Sequence, residues 1–172
     1  SIPEADDACV ITLTDMAETR ALSIVLPKEM ANEIKLHEKK ADVTKNHLVD
    51  VFAQVMKDED MTHYRIEFEG IQDRGFKAKL VNMESGNSYE LVSETAVLLS
   101  LATGFEMCTS LEVLQKFSTP FNKEVMSVAL PIMSLPDSLL QKALEKAVEE
   151  ENYEGASFIR DEMKRREEKN KK

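Results

Sequence analysis

A chain of 172 residues with 42% hydrophobic content is long enough for one domain of ordinary size plus an appendage, and it can bury a real core. The formal charge of -10 works against a nucleic-acid surface, which leans on cationic contacts to phosphate, and no apolar run nears the ~20 residues that span a bilayer. Two cysteines, Cys9 and Cys108, exclude a disulfide framework or a zinc-thiolate cluster; they read as buried, inert thiols of a reduced, cytoplasmic protein. No signal segment opens the chain, and Ser1 in place of Met reads as a missing native start. From Asp137 onward nine Lys and Arg stand against ten Asp and Glu, a net of -1, so residues 1–136 carry the remaining -9 of the -10 and form the acidic part.

Val10, Ile11 and Leu13, then Leu22, Ile24 and Leu26, make two apolar runs around Met16-AET and predict a β-hairpin that Pro27 ends. Leu48, Val51, Phe52, Val55 and Met56 recur at helical spacing and predict one buried stripe on a helix packed against a sheet. Tyr64, Ile66 and Phe68 alternate with charged residues, as do Phe76, Ala78 and Leu80. A five-residue connection through Gly75 sets Glu69 opposite Lys77 and Glu67 opposite Lys79, each pair worth roughly 0.2 to 1 kcal/mol. After a turn at Ser85-Gly86-Asn87, a strand runs through Tyr89 and Leu91. Ser93 is placed to cap a helix over Thr95 to Thr103 that is apolar nearly all round and must be buried centrally, with Gly104 ending it. Thr109 and Glu112 read as a T-x-x-E capping box for a short helix through Leu111, Leu114 and Phe117.

Residues 119–136 hold Pro120, Pro131 and Pro136 and no sustained period, so they read as a connector; Ser134 and Asp137 bracket Pro136 as a helix start, with a domain boundary near 135. Two amphipathic helices then meet at Asn152, one carrying Leu140, Ala143, Leu144, Ala147 and Val148, the other Ala156, Ile159 and Met163. Fully buried, each of these side chains is worth roughly 1.5 to 3 kcal/mol, and a lone hairpin cannot cover them all. Leu144, Tyr153, Ala156, Phe158, Ile159 and Met163 are therefore the predicted partner-binding residues, Phe158 widening the apolar face from one position off the stripe. The run Tyr153-EGASFIRDE-Met163 has the form aromatic-Glu-x-Ala-x-x-aliphatic-Arg-Asp-x-aliphatic, and it resembles the UVR motif, a helical hairpin of bacterial excision-repair proteins and of some protease adaptors. That resemblance implies a UVR-type protein partner or a homo-oligomer.

Residues 8 to 118 as a whole resemble the bacterial bifunctional nuclease domain. Three local matches carry the likeness. Arg20-ALSIVLPKE is similar to the family's strand entering its first helix, with Glu29 at the place of a characteristic Glu. Asp73-RGFKAKL is similar to its D-G-x-F-Y-A-x-L hairpin. Ser93-ETAVLLSLATGFEMCTSLEVL is similar to its S-D-A-I-A-L-A-L helix, the strand after that helix, and the next helix. The family's P-L-T-H-D-L segment corresponds to Asp42-VTKNHL, where its His-Asp pair is not reproduced although Asn46 and His47 stand nearby. Its Ser and Asp before the buried helix fall on Glu94 and Thr95, displacing a carboxylate by one residue, about 100° on a helix. The resemblance implies an α+β domain over 1–118 with a mixed or antiparallel sheet packed with helices, a connector over 119–135, and a C-terminal helical hairpin over 136–172. It also implies cleavage of DNA and RNA, with Glu29, Asn46, His47 and Glu94 as the candidate catalytic residues.

The residues alone call for no cofactor. His37, His47 and His63 lie singly, without H-x-x-x-H or H-x-E spacing, so no metal site is predicted; Mg²⁺ or Mn²⁺ would be the divalent ion of a nuclease. No phosphate-cradling glycine motif occurs. Two readings stay open: a DNase/RNase with an altered site and a recruiting hairpin, favoured by the retained global pattern, and a non-catalytic oligomeric adaptor, favoured by the missing His-Asp pair. Nucleic acid as a partner is not supported by the charge, and a membrane is not called for.

Overall fold

The computed structural model describes residues 8–39, 46–72, 75–121 and 132–170. Most of the Asp42-VTKNHL segment, the Asp73-Arg74 turn, most of the connector and the last two lysines lie outside the described residues. Strands β1 (Ala8–Thr14) and β2 (Arg20–Pro27) form the predicted hairpin, paired antiparallel from Ala8 with Pro27 to Thr14 with Ala21. Helices α1 (Lys28–Glu38) and α2 (Leu48–Asp58) follow. A second sheet is ordered β5 (Ser88–Val92), β4 (Gly75–Asn82), β3 (Tyr64–Gln72), β6 (Met107–Thr109), with β6 parallel to β3 and the other pairs antiparallel. Helix α3 (Ser93–Thr103) precedes β6, and α4 (Leu111–Phe117) leads into β7 (Thr119–Pro120), which joins β2. Helices α5 (Asp137–Glu149) and α6 (Tyr153–Asn170) form the C-terminal pair. The architecture is α+β, as expected.

Leu22, Ile24 and Leu26 of β2 bury one face of that strand in a core shared with Ile66, Phe68, Phe76, Ala78, Leu80 and α3. Helix α3 is the central element its composition demands: Ala96, Val97, Leu98 and Leu99 are all buried, and Gly104 ends the helix at φ 79, a left-handed conformation natural to glycine. The other face of the β1-β2 hairpin meets the C-terminal pair, where Val25 and Ala8 pack against a second cluster built on Leu135, Leu139, Leu140, Ala147, Ala156 and Ile159. Apart from the exposed Val148, the apolar stripe of the helical hairpin is thus covered within the chain.

Several local expectations are corrected. Helix α2 forms, but its inward stripe is the buried Met56 with the half-buried Val49 and Ala53, facing α3 rather than a sheet, while Leu48, Val51, Phe52 and Val55 are exposed. The predicted row is one face of a helix apolar on two. Glu67 does stand opposite Lys79, but the register slips between Phe68 and Gly70, so Lys77 faces Gly70 and Glu69 is the extra residue. Gly70 takes φ 115, and a Cβ there would come 3.0 Å from the Phe117 ring, which is why the bulge falls on glycine. Glu69 reaches Lys79 instead, and Glu67 accepts from Arg65 Nε at 2.7 Å. The caps shift by one: Ser93 is the first residue of α3 rather than its cap, and Ser110, not Thr109, caps α4 by accepting from the Val113 amide at 3.2 Å. Thr109 donates to the Phe68 carbonyl across the parallel strand pair. Cys108 is exposed and Cys9 half-buried, neither fully sequestered.

The joint of the helical hairpin is at Asn152 as expected. Its Oδ1 accepts from the Gly155 amide at 3.0 Å, and the Asn152 side chain lies so close to Gly155 that a Cβ would meet it at 2.9 Å. At the far end of α6 the buried Arg166 donates to Glu162, to Asp137 and to the Met133 and Leu135 carbonyls, tying α6 to the start of α5 and the turn before it. Arg165 first, with Arg166 acting together against the cost of burial, holds Glu162 below the ordinary 4.5. A carboxylate so depressed stabilises the fold above 4.5 and loses that contribution as pH falls through its folded value. Thermal melts between pH 6 and 3 are expected to show a smaller acid-induced drop in Glu162→Gln than in the parent chain. In urea unfolding, Met56→Ala should cost about 2 to 5 kcal/mol and Val55→Ala less than about 1 kcal/mol; equal costs would contradict the placement of α2.

Candidate functional site

A cluster of titratable side chains with metal-ligating donors forms where α1 ends and α2 begins. Glu33 and His37 are one turn apart on α1, and His47 and Asp50 are the N-cap and a first-turn residue of α2. A cation is favoured in the last turn of a helix and an anion in the first, so His37 and Asp50 each occupy the end that suits their charge. His37 is almost wholly buried. Its Nδ1 donates to the Glu33 carbonyl at 2.9 Å and its Nε2 to Asp50 Oδ2 at 2.7 Å. A carbonyl and a carboxylate oxygen facing the two ring nitrogens favour the doubly protonated ring. Burial by itself pushes this group down, but the Glu33 carbonyl, the Asp50 carboxylate and the Glu33 charge together outweigh it and leave it raised above 6.5.

His47 is half-exposed, with its ring centroid 6.1 Å from that of His37, and its Nδ1 is hydrogen-bonded to Glu33 Oε1. Glu33 thus joins the two histidines: its Oε1 touches His47 and lies 3.7 Å from His37 Nδ1. Glu33, His37 and His47 are also the group of side chains, among the described residues, whose ligand atoms all lie within 4.8 Å of one another and can hold a metal ion. The expectation that the histidines lie singly is corrected for His37 and His47, which are ten positions apart in sequence and meet because α1 and α2 both pack on α3.

Of the four predicted catalytic residues, the structure brings His47 into this cluster. Asn46 is its exposed neighbour in sequence, and Glu29 is exposed on α1 one turn before Glu33. Glu94 is half-buried in the first turn of α3 and accepts from the Ser93 hydroxyl at 3.1 Å. Glu33, His37 and Asp50 were not predicted. The signal for them was the pair of helical spacings, Glu33 to His37 at i, i+4 and His47 to Asp50 at i, i+3, which place each pair on one helix face but leave the meeting of the faces to the fold.

The cavities flank this cluster. Asp50 borders one of about 280 Å³, and Leu48 and Val49 border an apolar one of about 630 Å³ shared with Phe52, Tyr64, Tyr89 and Leu99. The larger cavity of about 750 Å³ lies elsewhere, between β3, β6 and α4. Ion pairs engage Arg65 with Glu67 and Glu69 with Lys79 at its wall, whereas the histidines and carboxylates of α1 and α2 converge on one another.

The predicted partner-binding residues divide. Ala156 and Ile159 are buried in the core of the helical pair and Leu144 and Met163 pack against it, whereas Tyr153 and Phe158 are 69% and 62% exposed. Among the described residues no helix is long and apolar enough to cross a membrane.

Comparison with known families places the two segments. The UvrB/uvrC motif matches residues 138–169, coincident with α5 and α6, and the bifunctional nuclease domain matches residues 11–122, which hold both sheets and the histidine cluster. No individually curated protein matches significantly. With a match that spans well over half of its residues, the chain belongs to the bifunctional nuclease domain family, and it carries a C-terminal UVR motif.

Proposed function

We propose that the chain is a nuclease acting on DNA and RNA phosphodiesters through the cluster on α1 and α2. The observation that carries this reading is His47, half-exposed and backed by the Glu33 carboxylate, inside the residues matched to the nuclease family. A carboxylate on Nδ1 orients an imidazole and leaves Nε2 as the exchangeable proton site, the arrangement of a general base. In this role His47 takes a proton from the attacking oxygen, and returns one to the departing oxygen as the P–O bond breaks. His37, paired with Asp50, holds α1 and α2 together and keeps Glu33 in place; it is a positioning residue. The family's adjacent His-Asp pair is missing, but an imidazole–carboxylate pairing is assembled across the two helices, His37 with Asp50. Glu29, Asn46 and Glu94 belong to the proposed site by their family positions. Labelled single-stranded RNA and duplex DNA should be cleaved by the parent chain, and His47→Ala should lose about 100-fold or more of that rate, within the span of acid–base catalysis. Cleavage undiminished in His47→Ala and lost in Glu94→Ala would move the site to the start of α3.

A second reading, a non-catalytic self-associating module, is favoured by exposed apolar surface: Tyr153 and Phe158 on α6, and the outer row of α2. Self-association is common to both readings if the hairpin pairs with the hairpin of another copy. Phe158→Glu is then expected to lower the solution mass measured by light scattering, and an unchanged mass removes Phe158 from the contact.

A further inference from the structure

We propose that Glu33, His37 and His47 form a binding site for a divalent transition-metal ion of the zinc class, with Asp50 as its outer support. The donor set decides the class. Two imidazoles and one carboxylate suit Zn²⁺ and its first-row neighbours, whereas Mg²⁺ demands oxygen ligands and keeps its waters. Three protein ligands with one position left to solvent are also the pattern of a zinc site that acts on substrate rather than one that merely holds a fold.

The distances fit after small movements. Ligands at about 2.0 to 2.1 Å on a tetrahedral ion stand roughly 3.3 Å from one another. Glu33 Oε1 and His37 Nδ1 are already 3.7 Å apart, and every pair in the set lies within 4.8 Å. His47 sits at the solvent edge, free to rotate off Glu33 Oε1, and provides the open side. Asp50 supplies what a metal-bound histidine needs at its second nitrogen: a carboxylate 2.7 Å from His37 Nε2 that accepts the remaining N–H and leaves Nδ1 for the ion. The Glu33 carbonyl lies 2.9 Å from that nitrogen, so the ion enters on Nδ1 as the His37 ring tips away from this carbonyl within its Asp50 contact. Any proton on Nδ1 is released to solvent on binding. His37 is buried and tied to Asp50, so the ion has a preformed rear wall rather than a set of loose surface chains.

An ion on His47 takes that ring out of the base role it has in the metal-free chain, and metal binding is read without any cleavage assay, so the two proposals are tested separately. Tag-free full chain, and the variants Glu33→Gln, His47→Ala and His63→Ala, would be incubated with Zn²⁺, dialysed, and assayed for metal content, with Co²⁺ substitution to report tetrahedral coordination by its visible absorption. His63, just before β3 and beside Glu84, is the control. The expected result is about one Zn²⁺ per chain in the parent and in His63→Ala, a raised melting temperature on loading, and at least a ~10-fold loss of affinity in Glu33→Gln and His47→Ala, with Mg²⁺ unable to compete. His47 is half-exposed, so His47→Ala keeps its fold by circular dichroism and decides the question even if Glu33→Gln does not. A parent chain that stays free of Zn²⁺, or equal metal content in His47→Ala and the parent, would overturn the proposal.

Discussion

The strand β2 is the constraint on which the rest of the molecule depends. Nearly every residue from Ala21 to Leu26 is buried, so the strand must be covered on both faces, and two different parts of the chain do the covering. Leu22, Ile24 and Leu26 meet α3 and the four-stranded sheet; Val25 meets the helical hairpin. A strand covered on one side alone would leave a hydrophobic face in water, and burial of each such side chain is worth roughly 1.5 to 3 kcal/mol. The UVR hairpin therefore has a structural task inside this chain before it meets any partner. The Ser23 hydroxyl, buried in the middle of that strand and without a hydrogen-bond partner among the described residues, is a small cost of the arrangement.

The same packing explains the histidine cluster. Helices α1 and α2 are both laid against α3, and once there the C-terminal turn of one lies against the N-terminal turn of the other. Opposite partial charges at those ends draw an imidazolium to the first and carboxylates to the second. The result is a buried imidazole with an acceptor at each ring nitrogen, beside a half-exposed pair of His47 with Glu33. Buried charge is tolerated only when it is paired and hydrogen-bonded, which is why the inner histidine is the more constrained of the two.

The helical hairpin solves a similar problem with Arg166. Its guanidinium is buried, and it is satisfied by two carboxylates and two backbone carbonyls that belong to α5, α6 and the turn before them. Five donors in a rigid fork suit this gathering of acceptors, where a lysine would satisfy fewer of them. With most of the stripe of α5 and α6 turned inward and held by Arg166, the apolar side chains left for another molecule are Val148 at the end of the stripe and, off it, Tyr153 and Phe158.

The sequence by itself determined the elements whose signal is local. The β1-β2 hairpin, the all-apolar α3 closed by Gly104, the alternation in β3 and β4 and the two C-terminal helices meeting at Asn152 come from period, turn chemistry and capping, each contained in a short window. His47 was legible because it stands at a family position. Tertiary structure decided whatever depends on which faces meet. It chose Val49, Ala53 and Met56 over the more apolar-looking row of α2, because α3 covers one side of that helix and a helix apolar on two sides carries no sign of which is inward. It placed the bulge at Glu69-Gly70, since Phe117, distant in sequence, occupies the space a side chain would need. It also joined Glu33, His37 and Asp50 to His47, because a spacing of three or four residues sets neighbours on one helix, while the approach of two helices is fixed by the core beneath them.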